Sequence, residues 1–282
     1  MGWLNVLWIA LLGVAAIYLW MIAPSHSRPK ADALLNRLYA HRGLHDGERG
    51  VPENSLVAFS RAADAGYGIE LDVQLTGDLV LVVHHDANTS RLCGKDAVIR
   101  DTRHEDLPKL PDGSAIPTFA EVLALVNGRV PLIVEIKPYG KATENAAATL
   151  QALRGYAGAY CVESFHPSAV RYFRKTAPGV LRGQLAMGGK RNPKEANVQA
   201  YIALKYLLVN VMGRPHFVAY SSAEDRNLSM WLMKRTYRPM LAALTLRSQA
   251  ALQQAKSHYQ MWIFERFTPD AGATTAAEPQ TR

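Results

Sequence analysis

The chain has 282 residues, 49% of them hydrophobic and 20% charged, a balance that excludes a disordered or collagen-like polypeptide and permits a large core without cross-links. Its two cysteines, Cys93 and Cys161, fit no zinc or redox spacing and exclude a disulfide framework. A net charge of +8 suits an anionic membrane or a phosphate-bearing ligand, or is a generic basic surface; with no long basic run and no reader motif, nucleic acid is not an expected partner.

No charged side chain occurs from Met1 to Ser25, and residues 2–22 are almost wholly apolar. At helical rise they measure about 31 Å, enough to cross a bilayer core. Trp3 and Trp8 lie toward one end, Tyr18 and Trp20 toward the other, and Pro24 stops the helix. No Lys or Arg precedes the run, and its far end is Leu19-Trp20-Met21-Ile22 and not a small-residue cleavage pattern, so a retained single-pass anchor (1–24) is preferred to a cleaved signal. Arg28, Lys30 and Arg37 follow with nothing basic before, which puts the remaining chain on the cytoplasmic side.

A linker (25–37) is expected next, and then apolar runs alternate with helical patterns. The strand candidates are 38–41, 68–75, 79–84, 130–136, 160–164, 181–186, 217–220 and 240–244, with a ninth apolar run at 261–264. Helix candidates occupy 55–65, 118–126, 143–153, 168–176, 228–235 and 248–258. This alternation, and about 230 residues from 38 to 267, predict a (β/α)8 barrel. Only Thr76-Gly77-Asp78 separates the second and third runs, too short for a parallel crossover, so they are expected to pair as an antiparallel hairpin. Residues 197–212 are apolar nearly all round and read as a buried helix or as one pressed toward lipid. The tail, 268–282, reads as disordered.

Polar residues gather where the strand candidates end: His41-Arg42-Gly43 with Pro52-Glu53-Asn54-Ser55, then Glu70-Leu71-Asp72, His84-His85-Asp86 and Glu135-Ile136-Lys137-Pro138. In a (β/α)8 barrel those ends build the active site. Side chains two apart on a strand share a face, so Glu70 lies with Asp72 and Glu135 with Lys137. Carboxylates converging in one mouth need a cation among them, and hard oxygen donors suit Mg2+ or Ca2+. Singly each cluster has a bland reading, and Asn54 could simply cap the following helix. Pairing across the hairpin leaves His84 and His85 as alternatives for the acidic face, because a one-residue slip exchanges them.

Taken in order, His41-Arg42-Gly43, Pro52-Glu53-Asn54-Ser55, Glu70-x-Asp72-Val73, Val82-Val83-x-His85-Asp86 and Glu135-x-Lys137-Pro138 resemble the glycerophosphodiester phosphodiesterases. The resemblance implies His41 and His85 as the acid–base pair. It implies Glu70, Asp72 and Glu135 as ligands of one divalent cation, Ca2+ or Mg2+. Arg42 and Lys137 would contact phosphate, with Glu53 and Asn54 shaping the site. The expected substrate is a glycerophosphodiester or a lysophospholipid, and residues 2–22 would meet membrane lipid. The family's usual hairpin glycine is replaced by Leu79, leaving Gly77 to supply flexibility. Leu244 stands where the family often has tryptophan. Rival readings are a lysophospholipase D, a phospholipase C-like enzyme and an inactive lipid-binding barrel.

Overall fold

The computed structural model describes residues 2–27, 29–47, 50–188, 198–221 and 225–270. Arg28 and the tail from residue 271 lie outside these, as do Asn197 and the basic residues Lys190, Arg191 and Lys194. In chain order the elements are α1 (Trp3–Ile22), β1 (Arg37–His41), α2 (Leu56–Asp64), β2 (Gly68–Leu75), β3 (Leu81–Val83), α3 (Ser90–Cys93), α4 (Phe119–Val126), β4 (Leu132–Ile136) and α5 (Ala142–Ala152). There follow β5 (Tyr160–Ser164), α6 (Pro167–Thr176), β6 (Arg182–Leu185), α7 (Val198–Lys205), α8 (Asn210–Gly213), β7 (Phe217–Ser221), α9 (Leu228–Thr236), β8 (Met240–Leu246), α10 (Gln249–Lys256) and β9 (Met261–Phe264).

Parallel pairing runs β2-β4-β5-β6-β7-β8-β9-β1, and β1 returns to β2, closing a (β/α)8-type barrel. The ninth apolar run is therefore a barrel strand, and β3 is the supernumerary one. It pairs antiparallel with β2 outside the ring, as the short 76–78 connection requires. Beyond β3, residues 84–117 build a satellite around Val82, Ile99, Leu107, Leu110 and Ile116.

Strand alternation sorts the core. Ile69, Leu71 and Val73 of β2 and Leu132, Val134 and Ile136 of β4 point outward to the helices. Tyr39, Ile133, Cys161, Phe217, Met261 and Ile263 fill the interior, with Leu34 added from beneath. Helix starts are fixed locally. Thr118 and Glu121 form a reciprocal capping box on α4, and Pro167 occupies the first turn of α6.

The hairpin turn differs from the sequence expectation. Leu79 itself adopts the left-handed conformation, with φ +64°, although it carries a side chain. Gly77 serves close approach instead, since a Cβ there would meet the Asp101 and Thr102 backbone at 3.0 to 3.2 Å.

Candidate active site

The interior columns that are apolar at depth become ionisable toward the carboxyl ends of the strands, most of them acidic. On β1 Tyr39 gives way to His41, on β4 Ile133 to Glu135, on β5 Cys161 to Glu163, and beyond β9 Ile263 to Glu265. Parallel register then sets them side by side: His41 opposite Glu70, Asp72 opposite Glu135, and Glu135 opposite Glu163. One oxygen from each of Glu70, Asp72 and Glu135 lies within 4.8 Å of the others, and all three residues are buried.

The loop after β1 is shaped for this cluster. Arg42 has φ +58°, and its backbone N–H donates to Glu70 Oε2 at 3.1 Å. Its guanidinium pairs with Glu53 at 2.8 Å and lies 3.4 Å from Asp72. A side chain held in this region stores backbone strain, which such sites commonly do. Gly43, φ +81°, lets the loop lie on α2, where a Cβ would come within 2.9 Å of Ala58. Ser55, not Asn54, caps α2, accepting from the Ala58 N–H. Asn54 is thereby free to donate from Nδ2 to Asp72 Oδ2 at 2.8 Å.

Lys137 is buried between Asp72 and Glu135, with Nζ 2.8 and 2.7 Å from their oxygens. Burial pushes Asp72 up, but Lys137, His85 and Arg42 overcome this and hold it well below the usual carboxylate range. Glu135 is raised to about 7 by burial, with Lys137 opposing. Glu70 is raised well above the carboxylate range by burial and by its neighbours Asp72, Glu135 and Glu163. Glu163 Oε2 is buried with no hydrogen-bond partner. Four buried carboxylates thus face the cations of Arg42 and Lys137. Crowded oxygen donors with a deficit of positive charge fit a hard divalent cation, and Glu70, Asp72 and Glu135 are the residues placed to hold one.

Both histidines named from the sequence border the cluster. His41 Nε2 lies 3.8 Å from Glu70 Oε2, and its Nδ1 lies 3.4 Å from Glu265. His85 Nδ1 is 2.7 Å from Asp86 Oδ1. Burial lowers both imidazoles from their ordinary value, with Glu265 opposing that at His41 and Asp72 at His85. The hairpin register pairs Val73 with Val83, one step from the pairing that sets His85 against Glu70. The strand ends at Val83, however, and alternation ends with it. His84 is fully buried with Nε2 3.2 Å from Asn88 O, while His85 feels the charges of Asp72, Lys137 and Arg42.

Three further residues complete the arrangement. Glu265 also pairs with His45 and Arg247, and its carboxyl is held far down: burial raises it, but His41, His45 and Arg247 prevail. Arg91 bridges Glu53 and Asp86, so it fixes the partners of both Arg42 and His85. Glu163 extends the acidic row. A cavity of about 900 Å³ opens beside the cluster, walled in part by Glu53, Arg61, Arg91, Glu265 and Arg266.

Comparison with known proteins agrees with this arrangement. The chain is 33% identical over 169 residues to a glycerophosphodiester phosphodiesterase of Caldanaerobacter subterraneus, a match covering 55% of this chain and 68% of that protein. To a glycerophosphodiester phosphodiesterase of Bacillus altitudinis it is 31% identical over 170 residues, covering 54% and 67%. In fold it resembles an Oleispira antarctica phosphodiesterase solved with the product sn-glycerol-3-phosphate, with a TM-score of 0.66 at 21% identity over 83% of this chain and 94% of that one. The model of the Glycerophosphoryl diester phosphodiesterase family matches residues 41–256, from His41 through α10, and the chain belongs to that family of phosphoric diester hydrolases.

Proposed function

We propose that this chain hydrolyses glycerophosphodiesters to an alcohol and glycerol 3-phosphate, using one divalent cation, Ca2+ or Mg2+, at Glu70, Asp72 and Glu135. The observation that carries this reading is the buried carboxylate trio with a carboxylate-backed imidazole on each side of it. The family relatives bear that activity in their names, and the Oleispira protein holds glycerol 3-phosphate.

A bound cation would supply positive charge to the phosphoryl oxygens. Arg42 places a guanidinium, and Lys137 an ammonium, beside the same cluster, where the charge that builds during cleavage is stabilised in a water-poor setting. Glu53 and Arg91 hold Arg42 in that pose, and Asn54 holds Asp72. One imidazole takes the proton from the attacking oxygen as its bond to phosphorus forms. The other gives a proton to the alkoxide oxygen as its bond to phosphorus breaks. Glu265 behind His41 and Asp86 behind His85 orient each ring and support its protonated form. The attacking oxygen is water, which gives glycerol 3-phosphate directly, or the neighbouring hydroxyl of the glycerol moiety, which gives a cyclic phosphate that water then opens to glycerol 3-phosphate with the two imidazoles exchanging roles.

Release of glycerol 3-phosphate from glycerophosphocholine, with and without EDTA and then with Ca2+ or Mg2+ restored, tests the reading. Turnover should vanish with EDTA and return with metal, and His41→Ala or His85→Ala should lower kcat about 10²- to 10⁴-fold. Full turnover in EDTA, or unchanged turnover in both histidine variants, would sink it. The same reading takes residues 2–22 as a retained anchor with the barrel on the cytoplasmic side, because Lys30 and Arg37 follow the helix. An alkaline phosphatase fused to residue 282, which matures only outside the cytoplasm, should then stay inactive.

A further inference from the structure

The hairpin delivers His85 to the mouth, but the ladder that would hold it there stops short. The His84 N–H still donates to the Asp72 carbonyl at 3.0 Å. β3 itself ends at Val83, so His85 and Asp86 lie on backbone that has left the sheet. A loop residue is held less firmly than one in a paired strand. A group that transfers a proton must nevertheless stay within hydrogen-bond reach of the reacting oxygen. Misplacement by 1 Å can slow such a reaction about 10²-fold.

Gln74 supplies the missing hold. On β2 it follows Glu70 and Asp72 at the strand period of two, so it continues their inward column about 7 Å beyond Asp72. The residue is 1% exposed. Its Nε2 donates to the His84 carbonyl at 2.8 Å and to the Asp86 carbonyl at 2.7 Å. Both acceptors are carbonyl oxygens, so only the amide nitrogen can face them, and both its hydrogens are used. The two carbonyls stand one on either side of His85. A single amide therefore grips the backbone before and after the imidazole.

The grip extends to what surrounds the ring. Asp86, whose carbonyl Gln74 holds, has Oδ1 2.7 Å from His85 Nδ1 and Oδ2 2.6 Å from Arg91 Nε. On the other flank His84 is fully buried, with Nε2 3.2 Å from the Asn88 carbonyl. Gln74 shares its strand with Glu70 and Asp72, so one rigid element sets both the acidic cluster and the imidazole beside it. Gln74 Oε1 is buried without a partner, a cost that a residue serving only to fill space would not carry.

We propose that Gln74 is a positioning residue for the reaction, setting the place of His85 relative to Glu70 and Asp72 through the backbone of residues 84 and 86. Its effect on turnover rests on the phosphodiesterase reading, in which His85 moves a proton. The clamp on the ring does not.

The test uses the full chain with Gln74→Met, which keeps the length of the side chain and removes the amide. Gln74→Leu serves where that variant does not fold. On glycerophosphocholine kcat should fall about 10- to 100-fold with KM little changed, and the rise of Tm with Ca2+ or Mg2+ should persist. Combined with His85→Ala, the substitution should cause no further fall, because its effect passes through the imidazole. Unchanged kcat, or the same fold-loss in the His85→Ala chain as in the wild type, would overturn the proposal. A second readout needs no turnover. With the nine histidines carrying carbon-13 at Cε1, the His85 and His41 ring signals are identified by their absence from the His85→Gln and His41→Gln spectra. In Gln74→Met the His85 signal should shift or split while the His41 signal stays in place. A His85 signal that does not move, or that moves together with that of His41, refutes the clamp. A displaced His85 signal in a chain that never turns over glycerophosphocholine upholds the clamp and refutes the proposed reaction instead.

Discussion

Glu265 follows β9 directly and faces into the barrel, in the position from which it can fix the tilt of His41. A carboxylate behind an imidazole selects the tautomer whose free nitrogen faces the substrate, and it supports the ring when protonated. Glu265→Gln keeps the shape and removes the charge. It should lower kcat about 10- to 100-fold with KM little changed, and Glu265→Asp should recover part of the loss. Equal falls in kcat and thermal stability, with no rescue by aspartate, would make Glu265 merely structural. The opposite kind of residue is Leu79, which holds a left-handed conformation while its side chain is 65% exposed. That conformation costs a side-chain-bearing residue about 1–2 kcal/mol, and glycine gives back about 0.5–1 through its looser unfolded chain. Leu79→Gly should therefore stabilise the protein by roughly 0.5–1 kcal/mol in denaturant titration. A lower midpoint would mean that the leucine makes contacts in solution that outweigh the strain.

At the scale of elements, most of the barrel could be read before any coordinate was known, because its signals are local. Apolar runs bounded by Gly, Pro and capping residues gave β2, β5 and β9 with their observed limits, and the three-residue gap after Leu75 announced the hairpin. What escaped was decided by contacts distant in sequence. Glu163 and Glu265 share the inward parity of Cys161 and Ile263, so a parity count along β5 and β9 pointed to them. Their partners, on β4 and after β1, did not show in the sequence. Arg91 carried no signal at all, lying on α3 between polar turns. Ser27 likewise meets His216 only across the fold, and this contact yields a prediction. His216 Nδ1 accepts the Arg182 N–H at 3.2 Å, and its Nε2 lies 3.1 Å from Ser27 Oγ. Burial, and then the charge of Arg182, lowers the ring from its ordinary 6.5 to about 4. Below pH 6.5 the unfolded chain takes up a proton that the native ring refuses. Stability from this group is therefore full above about 6.5 and declines as pH falls toward 4, by on the order of 1–2 kcal/mol. His216→Gln should flatten that part of the Tm–pH curve, and an identical slope in the variant would refute the assignment.

For the whole molecule, the main tension lies in the barrel mouth. Glu70, Asp72, Glu135 and Glu163 are buried together, and of the nearby cations Lys137 and Arg42, the latter is shared with Glu53. Desolvated like charges destabilise a fold unless they are neutralised, so without metal some of these carboxyls must take up protons, and Glu135 and Glu70 are the ones pushed upward. A divalent cation that binds only the folded state relieves this and adds stability by mass action, about 2.7 kcal/mol at one hundred times its Kd. In a domain of this size each kcal/mol moves Tm by about 2–4 °C, so saturating Ca2+ or Mg2+ should raise Tm by roughly 5–10 °C over EDTA. Glu70→Gln separates the two contributions. It removes one ligand and keeps the position neutral, as the upward-shifted Glu70 carboxyl tends to be without metal, so in EDTA the variant should melt no lower than the wild-type chain while gaining little from metal. The ligands join β2 to β4, and Glu163 of β5 and His41 of β1 stand beside them in register, so the metal response acts on the closed barrel as a unit. A single cooperative transition that shifts as a whole would bear this out, whereas a metal effect confined to an early, partial transition would mean that the mouth opens separately from the core.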